Sequence, residues 1–182
     1  MTGSGPGQEP ASLISVAPRR TPLIFMVITY RRANRQYVAM TEEEVWRFLE
    51  SQSKIYAGFP MEDGYPHVSP LWFCVEDRKI YLRTHDYKTK TRLARAGKAC
   101  CVADDGFLYR ELRGVIVWGR SRVVKEPKLT EHINAVLDKK YERQQWKPSE
   151  MPRGWVEERR KEKRAFIEVD PERIDSWDNR KV

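Results

Sequence analysis

Two strand-like segments with a very short connection constrain the fold more than any other feature of this sequence. Residues 68–75 and 79–84 are rich in aromatic and branched apolar side chains. Only Glu76, Asp77 and Arg78 lie between them. A connection this short joins antiparallel strands, because parallel strands need a crossover of a dozen residues or more. The sequence therefore predicts a β-hairpin at this point of the chain.

Further strand-like segments follow, each with a glycine, proline or aspartate at or next to one end. We expect them at residues 55–59, 99–103, 114–124 and 164–169, with Asp170 and Pro171 ending the last one. No Gly-x-Gly-x-x-Gly follows any of these strands, so a Rossmann fold is not indicated. Hairpin-like connections predict a mainly β fold, an antiparallel barrel with peripheral helices.

Three helices are predicted between and around the strands. Thr41 and Glu44 form a Thr-x-x-Glu capping box at the start of a helix over residues 41–52. A short helix over residues 89–96 ends at a glycine, the usual residue after a helix. Apolar residues at helical spacing predict a third helix over residues 128–143.

The first 40 residues differ from the rest in composition. Residues 1–20 are rich in Gly, Pro, Ser and Ala, and residues 21–39 match no clear pattern. We therefore expect residues 1–40 to be a disordered or weakly ordered leader and residues 41–182 to be one folded domain. Met26 and Met40 are both candidate start sites of translation.

The charge balance indicates an anionic partner. There are 34 Lys and Arg residues against 26 Asp and Glu, a net charge of +8. Nucleic acid, a phosphate, an acidic cofactor tail and an anionic membrane surface all suit this charge, as does a simple basic surface facing water. The apolar residues 23–29 are too few to span a bilayer, and no membrane partner is expected.

The cysteines and histidines predict no metal site. Cys100 and Cys101 are adjacent, so in a strand their side chains point to opposite faces. The three histidines have no ligand-like spacing. Three cysteines cannot all pair in disulfides within one chain. The cysteine pattern therefore favours a reducing compartment and a cytoplasmic location.

A basic segment after the third strand is the main candidate binding site. The strand ends at Arg83 and Thr84, and Lys88, Thr89 and Lys90 follow at the start of the next helix. Free N–H groups at a helix start, lysine charges and threonine hydroxyls are suitable ligands for a phosphate. A basic helix face in water is the alternative interpretation.

A second candidate feature is the proline inside a strand, within Ser69-Pro70-Leu71. Pro70 cannot donate to a strand ladder, so it indicates an edge or a bulge. The exposed backbone groups of such an edge are suited to the polar rim of a flat heteroaromatic ring. An ordinary edge strand is the alternative.

No motif for protein-based catalysis is present. The sequence has no Gly-x-Ser-x-Gly and no Walker A segment. Any chemistry is therefore expected to come from a cofactor. The tryptophans are dispersed rather than clustered with basic residues, and nucleic-acid binding is not the expected function.

The order and spacing of several segments resemble the pyridoxamine 5′-phosphate oxidase-like superfamily. The resemblance extends to the flavin- and deazaflavin-dependent oxidoreductases of actinobacteria and covers about residues 41–180. It is carried by PHVSPLWF (66–73), IYLRT (80–84), KTRL (90–93), CVADD (101–105), ELRGV (111–115) and PERIDSWD (171–178).

This resemblance implies a split β-barrel that forms a homodimer, with FMN or the deazaflavin F420 between the subunits. It implies hydride transfer to a small unsaturated substrate; the alternatives are a non-catalytic carrier of flavin, F420 or haem, and a basic nucleic-acid-binding protein. The partner subunit is expected to supply Trp118 or Trp155. The implied ligands of one subunit are Arg83, Thr84, Lys88, Thr89 and Lys90 for the phosphate, and Ser69, Pro70 and Leu71 for the ring.

Two departures from the family pattern leave questions open. Arg92 stands where many relatives have Asn, and it stays open whether Lys88 or Lys90 is the main phosphate ligand. The end of the chain lacks the Arg-x-His segment of true pyridoxamine phosphate oxidases, so the vitamin B6 reaction is not expected. The cations Arg92, Arg95 and Lys98 suit the longer acidic tail of F420, but FMN and F420 are not distinguished.

Overall fold

The strands form a single sheet in a computed structural model that describes residues 28–32, 36–152, 154, 156–157 and 162–182. The strands are β1 Thr29–Arg32, β2 Ile55–Pro60, β3 Pro66–Leu71, β4 Phe73–Glu76, β5 Lys79–His85, β6 Ala99–Asp105, β7 Arg113–Val123 and β8 Arg164–Asp178. The helices are α1 Glu42–Ser51, α2 Thr89–Leu93 and α3 Pro127–Lys140.

The sheet has the order β3-β2-β6-β7-β8-β5-β4, with β1 added beside β8. All neighbours are antiparallel except β1 and β8. Strands β3 and β5 are not neighbours in this order, yet they contact each other, because the sheet curls into a half-barrel. The predicted mainly β barrel with peripheral helices is confirmed.

Two local predictions are confirmed in atomic detail. The Thr41 hydroxyl accepts a hydrogen bond from Glu44 N at 3.3 Å, and the Glu44 carboxylate accepts one from Thr41 N at 2.6 Å. In the β4–β5 hairpin, Asp77 and Arg78 have φ angles of 50° and 59°. Two consecutive left-handed residues make the turn twist in the same sense as the strands it joins.

The predicted strand over residues 68–75 is instead two strands that meet in a bend at Trp72. Before the bend β3 pairs with β2, and after it β4 pairs with β5. The Trp72 ring stacks on Tyr141 of the segment after α3, with ring centroids 4.4 Å apart. The Tyr141 hydroxyl also donates to Phe73 O and accepts from Phe73 N, both at 3.0 Å. These contacts fix the bend, and they come from residues almost 70 positions away.

The prediction that Asp170 and Pro171 end the last strand is wrong, because β8 continues to Asp178. Pro171 lies opposite Gly119 at a register shift in the β7–β8 ladder. A Cβ atom on Gly119 would lie 2.3 Å from Asp170 O, so only glycine allows this close approach. The irregularity accommodates a proline that would otherwise break the ladder.

The predicted helices need smaller corrections. The helix over residues 89–96 is α-helical only to Leu93 and continues as a 3-10 turn, Ala94–Ala96. Gly97 then ends it with a φ of 83°, as predicted. The third helix begins and ends slightly earlier than expected, at Pro127 and Lys140.

Apolar side chains cover both faces of part of the sheet. The larger core lies inside the curl, where α1 packs against the inner faces of the strands. A smaller core lies between α3 and the other face of β4, β5 and β8; its members are Cys74, Tyr81, Val124, Ile133, Leu137, Tyr141 and Phe166. No helix among the described residues is long and apolar enough to cross a membrane.

Part of the segment predicted to be a leader belongs to the sheet. Thr29–Arg32 pairs in parallel with β8, and the Trp46 indole of α1 donates a hydrogen bond to the Tyr30 hydroxyl at 3.2 Å. Val38, in the following 3-10 turn, is only 3% exposed. Residues 1–27 lie outside the described residues.

We predict that a chain starting at Met40 is less stable than one starting at Ile28. The shorter chain loses the β1–β8 ladder, the Tyr30–Trp46 hydrogen bond and the burial of Val38, which together stabilise the fold by about 3 kcal/mol. Urea denaturation of the two proteins measures the difference. Equal free energies of unfolding would show that β1 contributes nothing.

Candidate functional site

The bend at Trp72 leaves β3 and β5 without ladder hydrogen bonds between them at one end of the sheet, and this break in the ladder is called the gap below. Arg83 N donates to Trp72 O at 2.9 Å. Before Trp72, no ladder joins β3 to β5 among the described residues. β3 then follows β2 and has no other ladder partner among the described residues. The prediction that Pro70 lies on an edge strand is therefore confirmed. The predicted ring-lining segment lies on one side of the gap and the predicted phosphate segment on the other.

Two buried hydroxyl groups near this gap have no hydrogen-bond partner among the described residues. They are Ser69 Oγ on β3 and Thr84 Oγ1 on β5. Thr84 is 5% exposed, and it shares the inner face of β5 with Ile80 and Leu82. A buried hydroxyl without a partner costs about 1–3 kcal/mol. Both residues were predicted as ligands from the sequence, and both retain unused hydrogen-bonding capacity.

Two lysines follow β5 along the chain, at the start of α2. Lys90 is partly buried, and this burial, followed by the positive charge of Lys88, lowers the pKa of Lys90. Lys88 is exposed, with Nζ 4.4 Å from the centroid of the Tyr87 ring. No carboxylate of the described part of the chain lies within 4 Å of either Nζ atom. The positive charge of Lys88 thus disfavours the charged form of Lys90, whereas a hydrogen bond with Tyr87 and the nearby Glu162 carboxylate raise the pKa of Lys88.

The helix itself adds less to this site than the sequence suggested. α2 has only five residues, so its macrodipole is small, and Lys88 at its N-cap makes no side-chain capping bond. Thr89 is the exposed first residue of α2. Thr91 is turned inward and donates from Oγ1 to His85 O at 2.7 Å. The helix dipole of α2 is therefore a minor part of the candidate site.

Arg83 does not join the other predicted phosphate ligands. Successive strand residues point to opposite faces, so Arg83 lies on the α3 side of β5 while Thr84 faces the interior. Its guanidinium donates to Asp138 Oδ1 at 2.6 Å and lies 5.9 Å from the Trp72 ring centroid. The side chain is 11% exposed. Arg83 therefore ties α3 to the bend, with its charge already compensated by Asp138.

The other residues predicted to contact the ring lie on different faces of the sheet. Leu71 is buried in the inner core, and Pro70 is exposed on the outer face of β3. Trp118 lies on the outer face of β7, where the Arg173 guanidinium is 3.7 Å from its ring centroid. Within one subunit Trp118 thus lies on the opposite face from the Ser69 and Thr84 hydroxyls. The Trp155 side chain is outside the described residues.

An apolar groove on the outer sheet face was not predicted. It has a volume of about 640 Å³ and is lined mainly by β2, β3, β6 and β7. The sequence of β2 contains a signal for this groove. Tyr56 and Gly58, which alternate with the buried Ile55, Ala57 and Phe59, are apolar or small, so the outer face of β2 is not a charged surface. Among its lining residues are Tyr56, Val68, Lys98, Cys100, Val102 and Trp118.

Comparison with known proteins identifies relatives of this chain. A family model described as pyridoxamine 5′-phosphate oxidase matches residues 41–176. A solved structure of a conserved hypothetical protein from Mycobacterium tuberculosis is 26% identical, with a TM-score of 0.68 over 81% of this chain and 90% of that one. No curated protein sequence matches.

Two more distant structures have the same fold. An FAD-binding protein from Mycobacterium smegmatis is 20% identical, with a TM-score of 0.54 over 74% of this chain and 93% of that one. A protein described as an F420 reductase is also 20% identical, with a TM-score of 0.53 over 74% of this chain and 98% of that one.

We predict that Thr84→Val leaves the free energy of unfolding unchanged or raises it by up to about 1 kcal/mol, since no intramolecular hydrogen bond is lost. Thr91→Val is the matched control. Thr91 is equally buried but donates to His85 O, so its replacement should cost about 1–2 kcal/mol. Urea denaturation of both variants measures the contrast. Equal destabilisation would mean that Thr84 Oγ1 has a partner within the chain.

Proposed function

The chain belongs to the pyridoxamine 5′-phosphate oxidase family, and on this premise we propose that it is an oxidoreductase that binds FMN or F420 in the gap beside β3. The observation that carries the proposal is the pair of buried hydroxyls of Ser69 and Thr84, which have no hydrogen-bond partner among the described residues, together with Lys90, which has no carboxylate within 4 Å among them. Hydroxyl donors and uncompensated cations are the groups that a cofactor phosphate needs.

Each group has a defined role in this proposal. Lys88 and Lys90 compensate the charge of the phosphate, and the hydroxyls of Thr84 and Thr89 donate hydrogen bonds to its oxygens. Ser69 lies across the gap and orients the polar rim of the ring. A flavin or deazaflavin, when bound, supplies a ring that accepts and donates hydride. The protein holds that ring in place and excludes water from one face with apolar side chains such as Leu71.

The cations beyond the gap bear on which cofactor is bound. Arg92, Arg95 and Lys98 are exposed and have no carboxylate within 4 Å among the described residues. FMN ends at its phosphate, whereas F420 continues into an acidic tail. These cations beyond the phosphate position suit the acidic tail and so favour F420. Because salt screens such charges, we expect the affinity of the protein for F420 to fall as the salt concentration rises.

A second copy of this chain is the proposed partner. The outer groove and the apolar residues around it form one contiguous apolar surface. Such a surface is typical of an interaction site, whereas single exposed apolar side chains are not. Burying that surface in a homodimer would bring Trp118 of one subunit toward the other. The small-molecule substrate would then bind where the two subunits meet.

A cofactor carrier without turnover is the second candidate. It is favoured by the M. smegmatis relative, which is described only as an FAD-binding protein. The purified protein, loaded with each cofactor, is assayed with a panel of enones, quinones and tetrapyrroles. Turnover of any of them supports the oxidoreductase, whereas tight binding without turnover supports the carrier.

The first test is direct cofactor binding. We expect the protein to bind FMN or F420, measured by the absorbance spectrum of the purified protein and by fluorescence titration with both cofactors. A colourless protein with no affinity for either cofactor would refute the proposal.

We predict that Lys90→Glu weakens cofactor binding by more than about tenfold, because a carboxylate replaces the ammonium beside the phosphate. Lys128→Glu, an exposed charge reversal on α3, is the control and should leave the dissociation constant within about twofold. The parallel variant Lys88→Glu shows which lysine contributes more. An unchanged dissociation constant for Lys90→Glu would contradict the placement of the phosphate.

A further inference from the structure

Strand β4 lies at one end of the sheet, and part of its backbone faces away from β5. Arg83 N donates to Trp72 O at 2.9 Å, and this bond fixes which pairs of the β4–β5 ladder are hydrogen-bonded. Because bonded and non-bonded pairs alternate in an antiparallel ladder, the N–H and C=O groups of Phe73 and Val75 point away from β5. These two residues therefore need hydrogen-bond partners beyond the edge of the sheet.

Phe73 has such a partner within the chain. The Tyr141 hydroxyl donates to Phe73 O and accepts from Phe73 N, and so takes the place of a neighbouring strand. The N–H and C=O of Val75 have no hydrogen bond to any described residue. Val75 is partly exposed and lines a groove of about 520 Å³, within the range of about 300–1,000 Å³ that is usual for ligand pockets. One wall of this groove therefore offers a free backbone donor and a free acceptor.

The other wall of the groove is one face of α1. The lining residues of α1 recur at spacings of three and four, so they lie on one side of the helix. They are Glu43, Trp46, Arg47 and Glu50. The Arg78 guanidinium of the β4–β5 turn pairs with the Glu42 carboxylate at the start of α1 and joins the two walls at one end. The space between α1 and the free edge of β4 is called the edge groove below.

The edge groove is acidic, although the whole chain has a net charge of +8. Four carboxylates line it, those of Glu43, Glu50, Glu76 and Asp77. The two cations of the lining are Arg47 and Arg78, and Arg78 is already compensated by Glu42. His132 Nε2 lies 3.6 Å from Glu76 and compensates this carboxylate only when the imidazole is protonated. The groove therefore favours an occupant with positive charge.

A free strand edge and negative charge together define the class of partner. An extended peptide that adds to a sheet edge forms backbone hydrogen bonds, and its side chains give specificity. A small cation would bind the carboxylates and leave the backbone groups of Val75 unused. Because the Tyr141 hydroxyl already occupies the neighbouring Phe73, an added strand uses the edge only at Val75 and is short. Its affinity then depends strongly on the charges of its side chains.

We propose that the edge groove binds a short extended segment of another protein that carries basic side chains, added as a strand beside β4. The N–H and C=O of Val75 bond to the backbone of this segment, and its basic side chains pair with the carboxylates of the groove. The site is separate from the cofactor gap, because Ile80, the residue opposite Val75, precedes Thr84 by four positions, about 13 Å along β5. The inference therefore goes beyond the proposed function and does not depend on it.

Amide hydrogen exchange in the full chain tests whether the edge is open. We expect the Val75 N–H to exchange at least about tenfold faster than the Cys74 N–H, which faces β5 in the ladder. NMR spectroscopy measures both rates. Equal protection of the two amides would show that another segment of the chain or a second copy already covers the edge, and would overturn the inference.

Peptide titration tests the nature of the occupant. The probes are fluorescein-labelled Arg-Val-Arg-Val-Arg and Glu-Val-Glu-Val-Glu, and fluorescence anisotropy measures their binding to the full chain. We expect the basic peptide to bind at least about tenfold more tightly and to slow the exchange of the Val75 N–H. The basic peptide with an N-methylated backbone keeps its charge and should bind at least about fivefold more weakly. Equal affinity for the two charged peptides, or binding that leaves the Val75 exchange rate unchanged, overturns the inference.

Two variants separate the backbone contribution from the charge contribution. Val75→Pro removes the N–H that faces away from β5 and should weaken binding of the basic peptide by at least about tenfold, whereas Val75→Ile keeps this N–H and should stay within about twofold. Glu50→Lys should weaken binding by at least about fivefold, and Glu131→Lys, an exposed charge reversal on α3, is its control. If Val75→Pro does not fold by circular dichroism, Glu50→Lys and the N-methylated peptide decide. Unchanged affinity in both of these measurements overturns the inference.

Discussion

Strand β8 holds the sheet together because it pairs with three other strands. β7 follows it on one side, while β5 and β1 share its other side, β5 along the first half and β1 along the second. The buried Glu168 strengthens this junction by accepting hydrogen bonds from Tyr81 of β5 and Arg122 of β7, both at short range. Burial alone raises the pKa of Glu168, but the Arg122 hydrogen bonds and the Lys79 charge bring it below its usual value. The carboxylate therefore stays ionised where three strands meet.

The candidate site depends on how β5 is held in this sheet. With β8 on one side and β4 on the other, the strand cannot rotate, and its alternation fixes Thr84 toward the interior and Arg83 toward α3. The ion pair between Arg83 and Asp138 and the stacking of Trp72 on Tyr141 then hold the bend from outside. The bend beside β3 is thus held from the α3 side of the sheet.

The sequence predicted the features that are set by neighbouring residues. The β4–β5 hairpin, the capping box of α1 and the glycine that ends the α2 segment each depend on residues within a few positions, and each is confirmed. The order of the elements, and with it the family, could also be predicted. The bend at Trp72 and the continuation of β8 past Pro171 could not, because they depend on Tyr141 and Gly119, which are distant in sequence.

The candidate site could be predicted only in part, for the same reason. Thr84 and Ser69 were predicted as ligands from a local signal, their position next to a strand end or a strand proline, and the hydroxyls of both have no hydrogen-bond partner among the described residues. The engagement of Arg83 by Asp138 had no signal in the sequence, since an arginine beside a threonine suggests one common ligand. Alternation along a strand separates such neighbours, and only the sheet shows which of the two faces the site.

The position of β8 in the chain has a consequence for how the protein is made. β1, β5 and β7 all leave the ribosome before residues 164–178, which form β8. Until then β7 has a single neighbour, β5 is paired only with β4, and β1 has none. Most of the sheet's long-range pairing must form after translation of β8, so its folding is expected to be slow and its nascent strand edges open to association. Until β8 completes the sheet, β5 and β7 each keep one unpaired edge along which a second nascent chain could pair.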